Sequence, residues 1–204
     1  MPLTAIALNC SLKKSSGEAS STDAMIAVLK EHLVEQGVEL AETIRIADYN
    51  VPPGVTSDEG EGDDWPDIRE KILNHDILIF GGPIWMGQIG SVAKRVLERM
   101  DAFTSETDDQ GRMPSFGKMA IAAIVGNEDG AHWSSAQLFQ SLNDTGWTIP
   151  AVAACYWVGE AMNSTDFKDL EKTPDTVDKT ATMVATNAAH LAKLLAGSAY
   201  PGIE

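Results

Sequence analysis

The sequence predicts an α/β protein in which one parallel β-sheet carries helices on both faces. Apolar runs alternate with helical patterns along the 204 residues, which is typical of β-α-β units that feed a parallel sheet. The run Asp76–Gly81 is short and almost wholly apolar, as expected of a central strand covered on both sides. Neither an internal repeat nor a linker divides the pattern, so we expect one doubly wound, five-stranded domain over residues 1–204.

The elements follow from these patterns in chain order. Thr4–Cys10 is the first strand, and an apolar helical face from Met25 to Leu33 ends near Gly37, a residue type common just after a helix. Two segments without periodicity, Tyr49–Asp64 and Thr104–Gly117, interrupt the alternation. The remaining predicted elements are a strand over Val38–Ile46, a helix from Trp65 to about Asn74, the central strand, a helix over Val92–Met100, a strand over Lys118–Val125, a helix over Trp133–Thr145, a strand over Thr148–Val158 and a terminal helix that includes Val184–Leu195.

Charge and cysteine content exclude several classes of function. Acidic residues outnumber basic ones 30 to 15 and the formal charge is −15, which argues against nucleic acid and an anionic membrane as partners. The same charge could steer a basic protein partner or keep the protein in solution. Cys10 and Cys155 form no C-x-x-C pair, so we expect buried thiols. The chain shows neither a basic leader nor a membrane-length apolar run, and we expect a cytoplasmic protein.

The first loop with unusual chemistry, Ser11–Thr22, runs from the first strand into the first helix. It supplies hydroxyls, two lysines and the free amides of a helix N-terminus, which suit a phosphate without any metal ion. The spacing is neither G-x-x-x-x-G-K-[ST] nor G-x-G-x-x-G, which disfavours a nucleoside triphosphate or a Rossmann dinucleotide. The alternative is a solvated loop in which Ser20 caps the helix and Asp23 completes a capping box.

The second and third loops follow the two central strands. In Gly81–Gly90, glycines and a proline surround Trp85 and Met86, a flat and polarisable surface that can pack on a heteroaromatic ring or, alternatively, under a neighbouring helix. In Gly126–Trp133, backbone groups could contact a ring edge. His132 is either an acid/base group or a structural donor, and we do not assign it catalysis.

Together the three loops resemble the NAD(P)H-dependent FMN reductase branch of the flavodoxin-like superfamily, which includes iron–sulfur flavoproteins and tryptophan-repressor-binding-protein type quinone reductases. The P-[IV]-[YW]-x-G element of that branch matches Pro83–Gly87 without a gap. The resemblance implies a three-layer fold with strand order 2-1-3-4-5 and an FMN site. The residues implied are Ser11, Lys13, Ser21 and Thr22 at the phosphate, Pro83, Ile84, Trp85, Met86 and Gly87 against the flavin ring, and Asn127, Glu128, Asp129, Gly130 and His132 at the flavin edge.

The resemblance also implies a reaction and an assembly. NADH or NADPH would deliver hydride to FMN, which would pass electrons to a quinone, free flavin or other small acceptor, without a protein acid or base. The compact cysteine motif of the iron–sulfur flavoproteins is absent, so FMN would be the only redox centre. The alternatives are an acidic flavodoxin-type electron carrier that docks on a protein partner and a flavin-free interaction domain. Relatives form dimers or tetramers, so a homo-oligomer is expected, with the two irregular segments as candidate contacts.

Overall fold

A parallel sheet of five strands forms the centre of the protein, which is described by a computed structural model of residues 2–198 and 200–203. The strands are β1 (Leu3–Asn9), β2 (Val38–Arg45), β3 (Ile77–Trp85), β5 (Met119–Val125) and β6 (Ala154–Trp157), and a two-residue strand, β4 (Gln88–Ile89), pairs antiparallel with the end of β3. The order across the sheet is β2-β1-β3-β5-β6. If the short β4 is left out and the other strands are numbered again along the chain, the order is 2-1-3-4-5. The predicted strand order is therefore confirmed.

Helices cover both faces of the sheet, as predicted. They are α1 (Ser21–Glu35), α2 (Trp65–Leu73), α3 (Ser91–Met100), α4 (Ala131–Asp144) and α5 (Asp175–Gly197). Ala5 and Ala7 of β1 point into the core that α1 and α5 cover, whereas Ile6 and Leu8 point into the core under α2, α3 and α4. Because side chains alternate along a strand, one apolar run supplies both cores.

Two predicted boundaries in the sheet were wrong. The central strand does not stop at Gly81 but continues to Trp85 and returns through β4 as a hairpin. The last strand does not begin at Thr148, which makes only an isolated bridge to Met119. Pro150 has no backbone N–H to donate, and Val152 adopts a positive φ of 56°, so the chain turns there and regular pairing begins at Ala154.

The irregular segment between β2 and α2 is fixed by a buried ion pair. Residues 58–62 of this acidic segment are exposed, but the Asp63 side chain is 1% exposed and pairs with Arg99, which is 0% exposed. Arg99 also donates to the carbonyl oxygens of Thr56 at 2.9 Å and Pro52 at 3.2 Å. The guanidinium lies over the Trp65 ring. One side chain of α3 therefore holds a loop of more than ten residues against the protein.

Candidate functional site

The three loops singled out from the sequence meet at the carboxyl ends of β1, β3 and β5, where they enclose a cavity of about 340 Å³. This is the edge at which open parallel sheets bind ligands, near the point where the strand order reverses. Eight of the predicted site residues line it. They are Ser11, Lys13, Ser21, Thr22, Pro83, Ile84, Trp85 and Asn127.

One end of the cavity is a set of hydrogen-bond donors at the start of α1. Ser20 caps the helix, since its Oγ accepts from the Asp23 amide at 3.0 Å. The amides of Ser21 and Thr22, in the first turn, point out of the helix end without an intrahelical acceptor. Asn9 holds this corner, because its Nδ2 donates to Ser20 Oγ at 2.9 Å and its Oδ1 accepts from the Ser11 amide at 2.9 Å.

Ser11 supplies the observation that tests this corner for a phosphate. Its Oγ is buried and has no hydrogen-bond partner among the residues that the structure describes, an arrangement that disfavours folding unless a ligand or water satisfies it. Lys13 lines the same end and its Nζ pairs with Glu18 at 3.2 Å in an exposed contact. A hydroxyl, an ammonium group and two helix-terminal amides fit the phosphate of FMN.

The second loop is a tight hairpin at the wall of the cavity. Trp85 pairs with Gln88 across the turn, and the two residues between them have positive φ values, 53° at Met86 and 74° at Gly87. Positive φ at both central positions is the feature of a type I′ turn, whose twist matches that of paired strands. The Trp85 side chain is thereby placed at the cavity mouth, 52% exposed.

The third loop supports the hairpin from behind. The Glu128 carboxylate accepts hydrogen bonds from the amides of Met86 at 3.0 Å and Gly87 at 3.1 Å. Gly130 adopts a φ of 121°, and a Cβ there would lie 2.4 Å from the Gly87 carbonyl oxygen. His132 lies on the first turn of α4, where its Nε2 is 3.0 Å from the Tyr156 hydroxyl. The residues of the predicted set that lie outside the cavity lining are Met86, Gly87, Glu128, Asp129, Gly130 and His132.

A fourth segment that sequence reasoning missed completes the cavity. Trp157, Asp166 and Phe167 line it, and the Trp157 and Phe167 rings pack with centroids 5.6 Å apart. Asn127 ties this segment to the third loop, because its Nδ2 donates to the Asn163 carbonyl at 2.8 Å and its own carbonyl accepts from the Met162 amide at 3.0 Å. The sequence contains one signal for this fourth segment, which is the aromatic residue Trp157 at the carboxyl end of the last strand.

The cysteines are inert packing groups, as predicted. Both are free and buried. Burial raises the pKa of the Cys10 thiol, at the end of β1, well above its usual range, and burial with the nearby Asp178 charge raises the pKa of Cys155 to about 12. A neutral thiol is a poor nucleophile, so neither side chain provides covalent chemistry at the site.

The fold and the cavity define a flavodoxin-like α/β protein with a cleft at the carboxyl ends of its central strands. The chain belongs to the NADPH-dependent FMN reductase family, whose profile matches residues 3–162. Membership confirms the family that the three loops predicted.

Two curated relatives match most of this chain. Over 200 residues the chain is 34% identical to the divalent metal cation transporter MntH of Mycobacterium bovis, a match that covers 95% of this chain but only 29% of that protein. It is 29% identical over 212 residues to 8-demethyl-8-aminoriboflavin-5′-phosphate synthase of Streptomyces davaonensis, covering 98% of this chain and 81% of that one.

Among the residues that the structure describes, none of the helices has both the length and the apolar character that a membrane span requires.

Solved structures of flavin-related proteins superpose on most of this chain. RosB with bound 8-demethyl-8-formylriboflavin-5′-phosphate superposes with a TM-score of 0.84 at 27% identity, over 97% of this chain and 82% of that one. The NADH:FMN oxidoreductase EmoB has a TM-score of 0.65 at 16% identity, over 94% and 89%, and supports the fold alone.

Proposed function

We propose that this protein holds FMN in the cavity and uses NADH or NADPH to reduce a small acceptor such as a quinone or a free flavin. The observation that carries the proposal is the buried Ser11 Oγ, which has no hydrogen-bond partner in the described part of the chain and lines the same cavity as the first turn of α1. A phosphate would satisfy this hydroxyl and the amides together. The family match is independent support for a flavin.

Each side chain has a role that follows from its place. Ser11, Lys13, Ser21 and Thr22 hold the phosphate. FMN, when bound, would accept hydride from the nicotinamide and pass the two electrons to the acceptor. The apolar side chains Pro83, Ile84 and Trp85 exclude water from the ring and fix its plane, and Asn127 contacts its edge. Met86, Gly87, Asp129, Gly130 and His132 shape the loops that carry these contacts.

The phosphate role is tested with two flavins that differ only in that group. Ser11→Ala should weaken FMN binding about 10- to 150-fold, since a hydrogen bond to a charged group is worth about 1.5–3 kcal/mol and 1.4 kcal/mol is tenfold in affinity. The variant should leave riboflavin binding unchanged. Ser16→Ala, an exposed serine of the same loop, is the matched control. Fluorescence titration gives both dissociation constants, and equal losses for FMN and riboflavin would contradict the assignment.

The reaction is tested by anaerobic mixing of the FMN-loaded protein with each pyridine nucleotide. Loss of the flavin absorbance near its visible maximum, faster with one nucleotide than with the other, is the expected result. A flavin that stays oxidised with both NADH and NADPH, but is reduced chemically, would contradict the reductase and favour the acidic electron carrier that the charge of −15 also suits.

A second candidate is that FMN is a substrate to be modified rather than a resident cofactor. It is favoured by the likeness to the Streptomyces synthase, whose name describes an altered riboflavin phosphate, and to RosB with a formylated flavin phosphate bound. The mass of the flavin recovered after aerobic incubation with the protein and an amino donor distinguishes the two. A mass unchanged from FMN contradicts this candidate.

The cavity mouth also supports a homo-oligomer, either a dimer or a tetramer. Trp85, Met86 and Met162 are exposed by 52%, 87% and 94% around it, and apolar surface of this kind is favourable to bury. Light scattering that gives a monomer mass would contradict this.

Two free thiols fit the reducing conditions of a cytoplasm, which we propose as the location.

A further inference from the structure

The hairpin that carries Trp85 has a sequence poorly suited to its turn. Type I′ turns favour Asn-Gly or Asp-Gly, because both central residues need positive φ. Here the first central residue is Met86, with a φ of 53°, a region that side chains with a Cβ rarely enter. The Met86 side chain is 87% exposed, so its own packing contributes little to the turn. Another part of the protein must hold it.

Glu128 is the group in position to do so. One carboxylate oxygen, Oε1, accepts from the Met86 amide at 3.0 Å, and the other, Oε2, accepts from the Gly87 amide at 3.1 Å. Both amides belong to the turn, and each has its own oxygen. Hydrogen bonds to an ionised acceptor are about twice as strong as neutral ones. The carboxylate therefore clamps both central residues of the turn.

The neighbouring backbone adds a second contact on the same turn. The Gly130 backbone lies so close to Gly87 that a Cβ at residue 130 would overlap the Gly87 carbonyl group. Glu128 lies outside the cavity lining, whereas Trp85 and Asn127, on either side of the clamp, line it. Glu128 thus couples two walls of the cavity without facing into it.

We propose that Glu128 is a positioning residue that locks the Met86–Gly87 turn to the third loop and so presents Trp85 to the flavin. This inference rests on the proposed FMN site, and it replaces direct contact of Glu128 with the flavin edge. The clamp is built from protein groups alone, so we expect it to hold this wall in FMN-free protein as well as in the complex. Preorganisation of this kind increases affinity because less ordering accompanies binding.

The experiment compares Glu128→Ala, Glu128→Gln and the wild type. Hydrogen exchange of the Met86 and Gly87 amides in the FMN-free protein should be at least tenfold faster in Glu128→Ala. Its dissociation constant for FMN should rise about tenfold, the change that 1.4 kcal/mol produces. Glu128→Gln keeps one carbonyl oxygen for one of the two amides and should fall between the wild type and the alanine variant. The visible circular dichroism of bound FMN should change in the same order.

Glu160→Gln is the matched control, because it removes a carboxylate from an exposed position in the segment that Asn127 contacts. It should change none of these readouts, and melting temperatures should agree across the set. Unchanged amide exchange in Glu128→Ala overturns the clamp, and faster exchange with unchanged FMN affinity and dichroism overturns the positioning role. Wild-type protein that fails to bind FMN would overturn the proposed function instead, and the exchange data would still decide the clamp.

Discussion

Replacement of Asp63 by alanine tests the buried ion pair that fixes the segment between β2 and α2. Asp63 and Arg99 have exposed side-chain fractions of 1% and 0%. Asp63→Ala leaves the guanidinium buried without its carboxylate, a situation that costs about 3–5 kcal/mol. Arg99 keeps the Thr56 and Pro52 carbonyl oxygens as acceptors, so we expect the lower end, about 3 kcal/mol of the free energy of unfolding.

Urea unfolding at pH 7 measures this loss. Glu98→Ala, which removes an exposed partner of Lys94 on the same helix, is the control and should cost less than about 1 kcal/mol. The double variant Asp63→Leu with Arg99→Met should be more stable than Asp63→Ala, because it leaves no unpaired charge. Equal losses for Asp63→Ala and Glu98→Ala would refute the reasoning.

The same pair predicts an acid dependence. Burial raises the pKa of Asp63, but the Arg99 hydrogen bonds and charge and two backbone amides outweigh it and hold that pKa below its ordinary value of 3.8. A carboxyl with a lowered folded-state pKa contributes stability above its unfolded pKa and loses it as the pH falls through the folded one. The difference between wild type and Asp63→Ala should stay constant from pH 7 to about 5 and shrink below about 4.

Three further predictions concern the cavity and its surroundings. In Gly81→Ala the new Cβ would lie 2.8 Å from Thr22 Cγ2 and 3.0 Å from the Leu8 carbonyl oxygen, so urea unfolding should show a loss of about 1–3 kcal/mol. Trp157→Ala should weaken FMN binding three- to tenfold, about the worth of one aromatic contact, whereas Trp133→Ala, exposed by 58% and outside the cavity, should not. Neither cysteine should react with a disulfide reagent at pH 8 until urea unfolds the protein, because burial raises the pKa of both thiols; rapid native-state labelling would contradict their packing.

The sequence predicted the sheet and the loops that meet at its carboxyl edge because both depend on local patterns. Apolar runs mark strands, and hydroxyls before a helix mark an anion site. The hairpin was missed because Met86-Gly87 lacks the usual turn signal and depends on Glu128, 41 residues further along the chain.

Tertiary contacts also explain the other omissions. Arg99 lies between the apolar residues Leu97 and Met100 of α3. A charged residue is normally expected to be solvent-exposed, and only the fold shows that Arg99 is buried against Asp63. Asp166 and Phe167 come after the last strand, in a segment without periodicity. Their return to the cavity depends on contacts such as that between the Lys168 amide and Ser21 Oγ at 3.3 Å.

The walls of the cavity come from separate segments of the chain, so one wall can be redesigned while another is kept. The proposed phosphate site comes from the start of α1, whereas one side of the cavity comes from Trp157–Phe167, a segment that runs beyond the family-matched residues 3–162. Exchange of that segment between relatives would alter the shape offered to the flavin ring while leaving the phosphate anchor in place. A library confined to these eleven positions could therefore explore new flavin analogues on an unchanged scaffold.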